Sequence, residues 1–251
     1  MTVDNPQQPI EHCLNAIRDT FDCWVRTGKA AGMERRHKRL AELMLARIDM
    51  PSTARVLDVG CGDGWVARLL ADQLEAGAFV GIDISDEMIR TARRTCDHLD
   101  NALFAPAPAE RVPWAEDYFT HVLSIESAYY WPDISLASKE IYRVTAYGGS
   151  FHVLINYYSE NPFSEGWDTE AGLAMHRLSR DEWAGVFRES GFHDVSTTQI
   201  PDDSQISPDK SPEERATREG LQRLGALYIT GRKPALPPTG GPAPGPFHVI
   251  R

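Results

Sequence analysis

A doubly wound, mostly parallel α/β sheet of seven strands, preceded by N-terminal helices, is the fold that these 251 residues predict. Three observations predict it. Short apolar runs alternate with helix-period stretches from residue 55 onward, the pattern of parallel strands joined by crossover helices. The first apolar run, "RVLDVG" at 55–60, ends in a turn with glycines at 60, 62 and 64. The first 50 residues instead repeat apolar side chains at three- and four-residue steps, with no strand period.

Taken in order, Ile10, Leu14, Ile17, Phe21 and Trp24 mark a first helix, broken at 27–32, and Leu40, Leu43, Met44 and Ile48 mark a second, closed by Pro51. "RVLDVG" is the first strand, and 65–75 a helix with Val66, Leu69, Leu70 and Leu74 inward. "AFVGIDI" at 78–84 is the second strand, and 85–96 a helix with Ser85 as N-cap and acids in its first turn. A short third strand lies in 102–108, a fourth at 121–127 and a fifth at 150–158, after a helix at 133–144 that the Gly148–Gly149 pair stops. A helix at 179–190, a strand at 193–200, a helix at 212–224 and a strand at 225–233 complete the series. Right-handed crossovers put helices on both faces and ligands at the carboxyl ends of the strands. The expected organisation is a helical cap over 1–50, a ligand-binding domain over 51–233 with an insertion at about 157–178 over the mouth, and a Pro/Gly-rich tail over 234–251.

The net charge of −10 gives no overall attraction to nucleic acid or an anionic membrane. The basic run "ERRHKR" at 34–39 and Arg90, Arg93 and Arg94 fall in helical stretches and read as solvated faces. Cys13, Cys23, Cys61 and Cys96 have no zinc-ligand spacing, so no metal is expected. With no export pattern at the N-terminus and no membrane-length apolar run, free thiols predict a cytoplasmic protein.

The turn itself discriminates between ligands. A dinucleotide fingerprint needs a third glycine where this chain has Trp65, and Asp58 and Asp63 would repel a pyrophosphate. Carboxylates there suit a cation. S-adenosyl-L-methionine carries an ammonium and a sulfonium and no phosphate, and its one carboxylate can use the N–H groups of the turn. Asp83, 23 residues after Gly60 at the end of the second strand, is placed to accept both ribose hydroxyls.

With "VLDVGCGDG", "GIDISDEMI", "ERVPWAEDYFTHVLSIESAYYWPD", "IYRVTAYGG" and "LSRDEWAGVFRESGFHDV", the chain resembles the class I S-adenosylmethionine-dependent methyltransferases over about 53–200. The resemblance implies a Rossmann-like sheet and a set of roles. Asp58, Gly60, Cys61, Gly62 and Gly64 would surround the methionine moiety, Asp83 would hold the ribose, Ile84 and Met88 would pack near the adenine, and Ile125 would line the floor. Where relatives carry an Asp for the adenine amino group this chain has Pro108, so that contact would fall to Glu110 or to water, with backbone at Ala109 for the ring nitrogen.

The expected acceptor is a small molecule. Tyr129, Tyr130 and Trp131 after the fourth strand, and Tyr157 and Tyr158 after the fifth, would form its wall, with Trp24 and Trp167 closing the mouth, a cleft suited to an apolar or cationic molecule. Glu126, Tyr130, His152 and His176 are the candidate bases, of which Glu126 and Tyr130 are preferred as catalytic. His37 reads as a surface residue. The alternative is a cofactor-binding or regulatory module of the same family without turnover.

Overall fold

The computed structural model describes residues 8–207 and 209–235; most of the expected tail, 236–251, lies outside the described residues. Seven strands form one sheet: β1 (Arg55–Val59), β2 (Ala78–Asp83), β3 (Ala102–Pro106), β4 (Phe119–Ile125), β5 (Thr145–Ile155), β6 (His193–Ile200) and β7 (Ala226–Arg232). Their spatial order is β3-β2-β1-β4-β5-β7-β6. All pairs among β1–β5 are parallel; β7 runs antiparallel between β5 and β6. The fold is therefore the Rossmann-like, mostly parallel seven-stranded sheet, with β1 and β4 at its centre.

Central strands read as unbroken apolar runs because both of their faces are covered. Successive residues face opposite cores. Leu57, Val80, Val122 and Val153 pack on one side with α5 (Ile134–Val144) and α7 (Arg180–Glu189). Val56, Phe79, Leu123 and Leu154 pack on the other with α2 (Met33–Leu45), α3 (Trp65–Leu70) and α4 (Asp86–Thr95). Helix α1 (Gln8–Arg26) lies against α4.

Helix starts are fixed by side-chain oxygens that satisfy otherwise unpaired N–H groups, each worth about 1 kcal/mol. Ser85 accepts from Met88 N at 3.1 Å and Asp133 Oδ1 from Leu136 N at 2.9 Å. Ser179 with Glu182, and Ser211 with Glu214, form reciprocal capping boxes at the starts of α7 and of α8 (Pro212–Leu224).

Several boundaries differ from the sequence expectation: the fourth strand ends at Ile125 rather than at 127 and the fifth at Ile155 rather than at 158. The Gly148–Gly149 pair lies inside β5 rather than ending a helix before it. β5 starts at Thr145 and slips register between the pairs Phe119–Thr145 and His121–Ser150, a bulge in which Gly148 takes φ 78°. Helix α3 ends at Leu70 and tightens into a 3-10 turn over Ala71–Gln73. Within 157–178 lie a 3-10 turn, Pro162–Ser164, and the short helix α6 (Trp167–Ala171).

Candidate active site

The three turn glycines are glycine for different reasons. All have positive φ, 82°, 55° and 80° at Gly60, Gly62 and Gly64, which side-chain-bearing residues rarely adopt. A Cβ on Gly60 would collide with Ser127 of the loop after β4, and one on Gly64 would lie 2.9 Å from Cys96 Sγ and 3.1 Å from Phe104. Only Gly62 faces open space, its nearest neighbour being Met33 Cε at 3.9 Å. Gly60 and Gly64 thus serve protein packing, while Gly62 opens on the cavity.

Strand β2 pins the turn. Gly60 N and Cys61 N donate to Ile82 O at 2.8 and 2.9 Å. Asp83 accepts from Gly62 N and Ser85 N, both at 2.9 Å, one on each carboxylate oxygen. Burial still pushes Asp83 up to about 6 against those two hydrogen bonds. Asp58 is buried behind the cavity wall, and neither of its oxygens has a hydrogen-bond partner among the described residues. Burial, then the charge of Asp83, pushes it up to about 8. Two adjacent carboxylates held this way are destabilised as anions and are relieved by a cation beside them.

The turn opens into a cavity of about 470 Å³. Of the residues expected around the donor, Gly60, Gly62, Asp83, Ile84, Met88, Ala109, Glu110 and Ile125 line it; Asp58, Cys61 and Gly64 do not. Cys61 is buried, and its Sγ would lie 2.8 Å from a Cβ on Gly81. Glu110 commits one oxygen to Asp133 N at 3.1 Å, and Pro108 lines the wall beside it. Helix α1 is tied down over this part: Arg18 Nε donates to Ile84 O at 3.2 Å, and Asp22 accepts from Ser85 Oγ and, at 3.1 Å, from Glu87 N.

At the other end stands Glu126, at the carboxyl end of β4. Its backbone has φ 55°, a strain of about 1–3 kcal/mol for a residue with a side chain. Tyr129 OH donates to its Oε2 and Asn156 Nδ2 to its Oε1, each at 2.9 Å. Burial outweighs these bonds and pushes Glu126 up to about 7. Tyr130 lines the cavity with its ring 5.1 Å from Phe21 and 4.6 Å from Tyr129; burial raises its phenol further above the ordinary tyrosine range. Tyr129, Trp131, Trp24 and Trp167 also line the cavity, and Trp131 Nε1 donates to Ser127 Oγ at 3.3 Å.

Several expected residues stand elsewhere. Tyr157 is behind the wall, its ring 5.5 Å from Tyr129 and 6.3 Å from Trp167. Tyr158 is fully buried; its hydroxyl donates to Gly225 O at 3.1 Å and accepts from Gln199 at 2.9 Å. Strand alternation cannot be extrapolated past Ile155, where β5 ends, and the chain turns both rings inward. His152 lies in the sheet between Ser150 and Tyr228 at 2.8 and 2.7 Å, and burial lowers it to about 3. His176 does not line the cavity, whereas His37 does. Sequence reasoning missed Arg36, Asn156, Asp202 and Arg218, all on the cavity wall. The one signal was that Met33, Arg36, His37 and Leu40 share a helix face.

Comparison with known proteins places this geometry. The methyltransferase-domain family matches residues 56–149. A methyltransferase solved in complex with the Haloferax volcanii Trm112 methyltransferase activator superposes with a TM-score of 0.79 at 34% identity, over 85% of this chain and 97% of that one. The chain belongs to the class I S-adenosylmethionine-dependent methyltransferases. Among further relatives of this methyltransferase are YcgJ of Bacillus subtilis (strain 168), an uncharacterized methyltransferase 25% identical over 74% of this chain and 79% of its own length, and the malonyl-[acyl-carrier protein] O-methyltransferase of Geobacter sulfurreducens, 27% identical over 78% and 74%. Its cofactor is S-adenosylmethionine. The unpartnered Asp58 carboxylate, the Asp83 carboxylate on the wall and the open side of Gly62 fit a cationic donor that carries a ribose. Among the described residues, no helix of the methyltransferase is long and apolar enough to cross a membrane.

Proposed function

We propose that this methyltransferase acts on a small-molecule acceptor held on the aromatic wall of the cavity, with Glu126 taking the acceptor's proton. The observation that carries the reading is Glu126 itself: a carboxylate near neutrality, in a strained backbone, oriented by Tyr129 and Asn156, in the same cavity as Asp83 and Gly62. A base poised near the working pH combines ready proton uptake with adequate driving force. When bound, S-adenosylmethionine supplies a methyl group on a sulfonium that leaves as a neutral thioether, so no acid is required. Gly62 and Asp83 hold the donor end, with Ile84 and Met88 beside them. Glu126 receives the proton as the nucleophile's lone pair becomes bonding. Tyr130, whose phenol is too weak an acid to serve as a base near neutral pH, positions the acceptor with its ring. The helices over residues 8–45 and the segment 157–178 exclude water from this space.

Relatives named for malonyl-[acyl-carrier protein], fatty-acid and trans-aconitate methylation support a small acceptor or acyl group. The test is incubation with labelled donor and a metabolite extract, with and without a Trm112-type activator, since one relative was solved with such a partner. Label should enter a small molecule, and Tyr130→Ala should lower its formation more than it lowers S-adenosylhomocysteine affinity, while Tyr130→Phe retains the rate. Label entering only protein or nucleic acid overturns the reading.

A further inference from the structure

The acceptor end of the cavity carries two arginines that an aromatic cleft does not require. Arg36 from α2 and Arg218 from α8 both line it. On α2, Lys38 is paired with Glu34 at 3.7 Å, and Arg39 with Asp203 and Glu42. Arg36 has no hydrogen bond or ion pair to another described residue. Arg218 has a single long one, Nη2 to Asp202 Oδ2 at 3.3 Å, which leaves most of its N–H donors uncommitted. Asp202 also accepts from Ser204 N at 2.9 Å. His37 lines the same cavity and is held neutral: burial, then the charges of Arg36 and Arg218, lowers it to about 4 against the pull of Asp202. The third cation of the wall, Lys29, is placed over the Trp24 ring at 3.9 Å.

We infer that the acceptor is an amphipathic organic acid, its carboxylate anchored by Arg36 and Arg218 and its apolar body lying on Phe21, Trp24, Tyr130 and Trp167. This rests on the small-molecule reading above and narrows it. An arginine fork matches a carboxylate with two parallel N–H donors, which a lysine does not, and two forks from different helices fix an anion in both position and orientation. Of the acids on the same wall, Asp202 is paired with Arg218 and accepts from Ser204 N, and the charge of Arg218 also acts on Glu126, which leaves Arg36 as the guanidinium with no acid of its own among the described residues. The rings alone suit an apolar or cationic acceptor; the two arginines add a place for an anionic group on it.

The donor also carries a carboxylate, so the test separates the two sources. Calorimetry on protein saturated with S-adenosylhomocysteine, using phenylacetate, cinnamate and octanoate against their primary amides, should show each acid binding at least tenfold more tightly than its amide. Arg36→Gln and Arg218→Gln should each weaken the acids tenfold or more and leave the amides unchanged. Affinity for S-adenosylhomocysteine, and for methylthioadenosine, which lacks the amino-acid end, should stay within twofold of the wild type. Equal binding of acids and amides by the wild type, or no binding of any acid, overturns the inference without needing a variant. So does a variant that loses S-adenosylhomocysteine but keeps methylthioadenosine, because the arginines would then hold the donor's carboxylate. Tyr130→Ala serves as the control. It should weaken acids and amides alike, and if it changes neither, the aromatic-wall reading fails rather than the carboxylate one.

Discussion

The donor half of the cavity draws Gly62, Asp83, Ile84, Met88 and Glu110 from the ends of consecutive strands and the turns and helix starts beside them, whereas the acceptor half gathers Arg36, Glu126, Asn156, Trp167 and Arg218 from five segments spread over the chain. The first half is built by backbone. Positive φ values and N–H groups place Asp83, and few side chains other than glycine meet those conditions. The second half is built by side chains that converge, and apart from Glu126 at its φ of 55° no positive φ among Arg36, Asn156, Trp167 and Arg218 restricts the residue type. A site defined by backbone constraints resists substitution; one defined by converging side chains is where specificity can change without loss of the fold.

The sharpest way to break this contrast is at the contact between the halves. Gly60→Val puts a side chain into Ser127 of the acceptor loop at a φ of 82°. It should lower S-adenosylhomocysteine affinity by roughly 100-fold or more and lower the melting temperature, strain of this kind being worth about 1–3 kcal/mol before the clash is counted. Calorimetry and thermal denaturation check it, and normal binding would mean that the halves are not mechanically joined.

Glu126→Gln should next separate chemistry from binding. We expect kcat to fall by roughly 100-fold, the usual scale for a lost base, with S-adenosylhomocysteine affinity unchanged. The active form of Glu126 is the ionised one, and its value is raised to about 7, so kcat/KM of the wild type should be full above that pH and decline as pH falls through it. The variant should lose that limb of the profile.

Asp83→Ala tests the donor half alone. Loss of a charge-assisted acceptor should weaken S-adenosylhomocysteine by about 1.5–3 kcal/mol. Because Asp83 is raised to about 6 in the ligand-free protein, wild-type affinity should be fully developed above that pH and weaken as pH falls below it. Tyr158→Phe should give the smallest effect. Its hydroxyl bonds only Gly225 and Gln199 among the described residues, so stability should drop by about 1 kcal/mol while donor and acceptor affinities hold. A large change in acceptor affinity there would return Tyr158 to the wall.

Legibility in the sequence followed the same division. The alternation of strand and helix and the glycine turn gave the sheet and the donor-side wall, because each is a local pattern with a local physical cause. Capping serines at 85 and 179 marked helix starts for the same reason, while the cap at Ser211 emerged only in the structure. Tyr157 and Tyr158 were misplaced because side-chain direction after a strand depends on how the chain leaves the sheet, which no period reports. Arg36 read as solvated because its helix is basic overall, and Arg218 lies in a polar helix whose inward face is set by contacts that no period reports: Phe163 against Gly220, and the 202–204 segment hydrogen-bonded to Arg218 and Gln222. The Gly148–Gly149 pair misled because a bulge inside a strand and a stop before one use the same residue.

The sheet order carries a consequence for synthesis. Of the described strands β7 is the last made, yet it lies between β5 and β6. Until residues 226–232 have left the ribosome, β5 keeps an open edge bearing Phe151, Val153 and Ile155, and β6 has no neighbour to pair with. From residue 156 to residue 225 the nascent chain therefore carries a donor side whose residues are all made beside one sticky strand still uncovered.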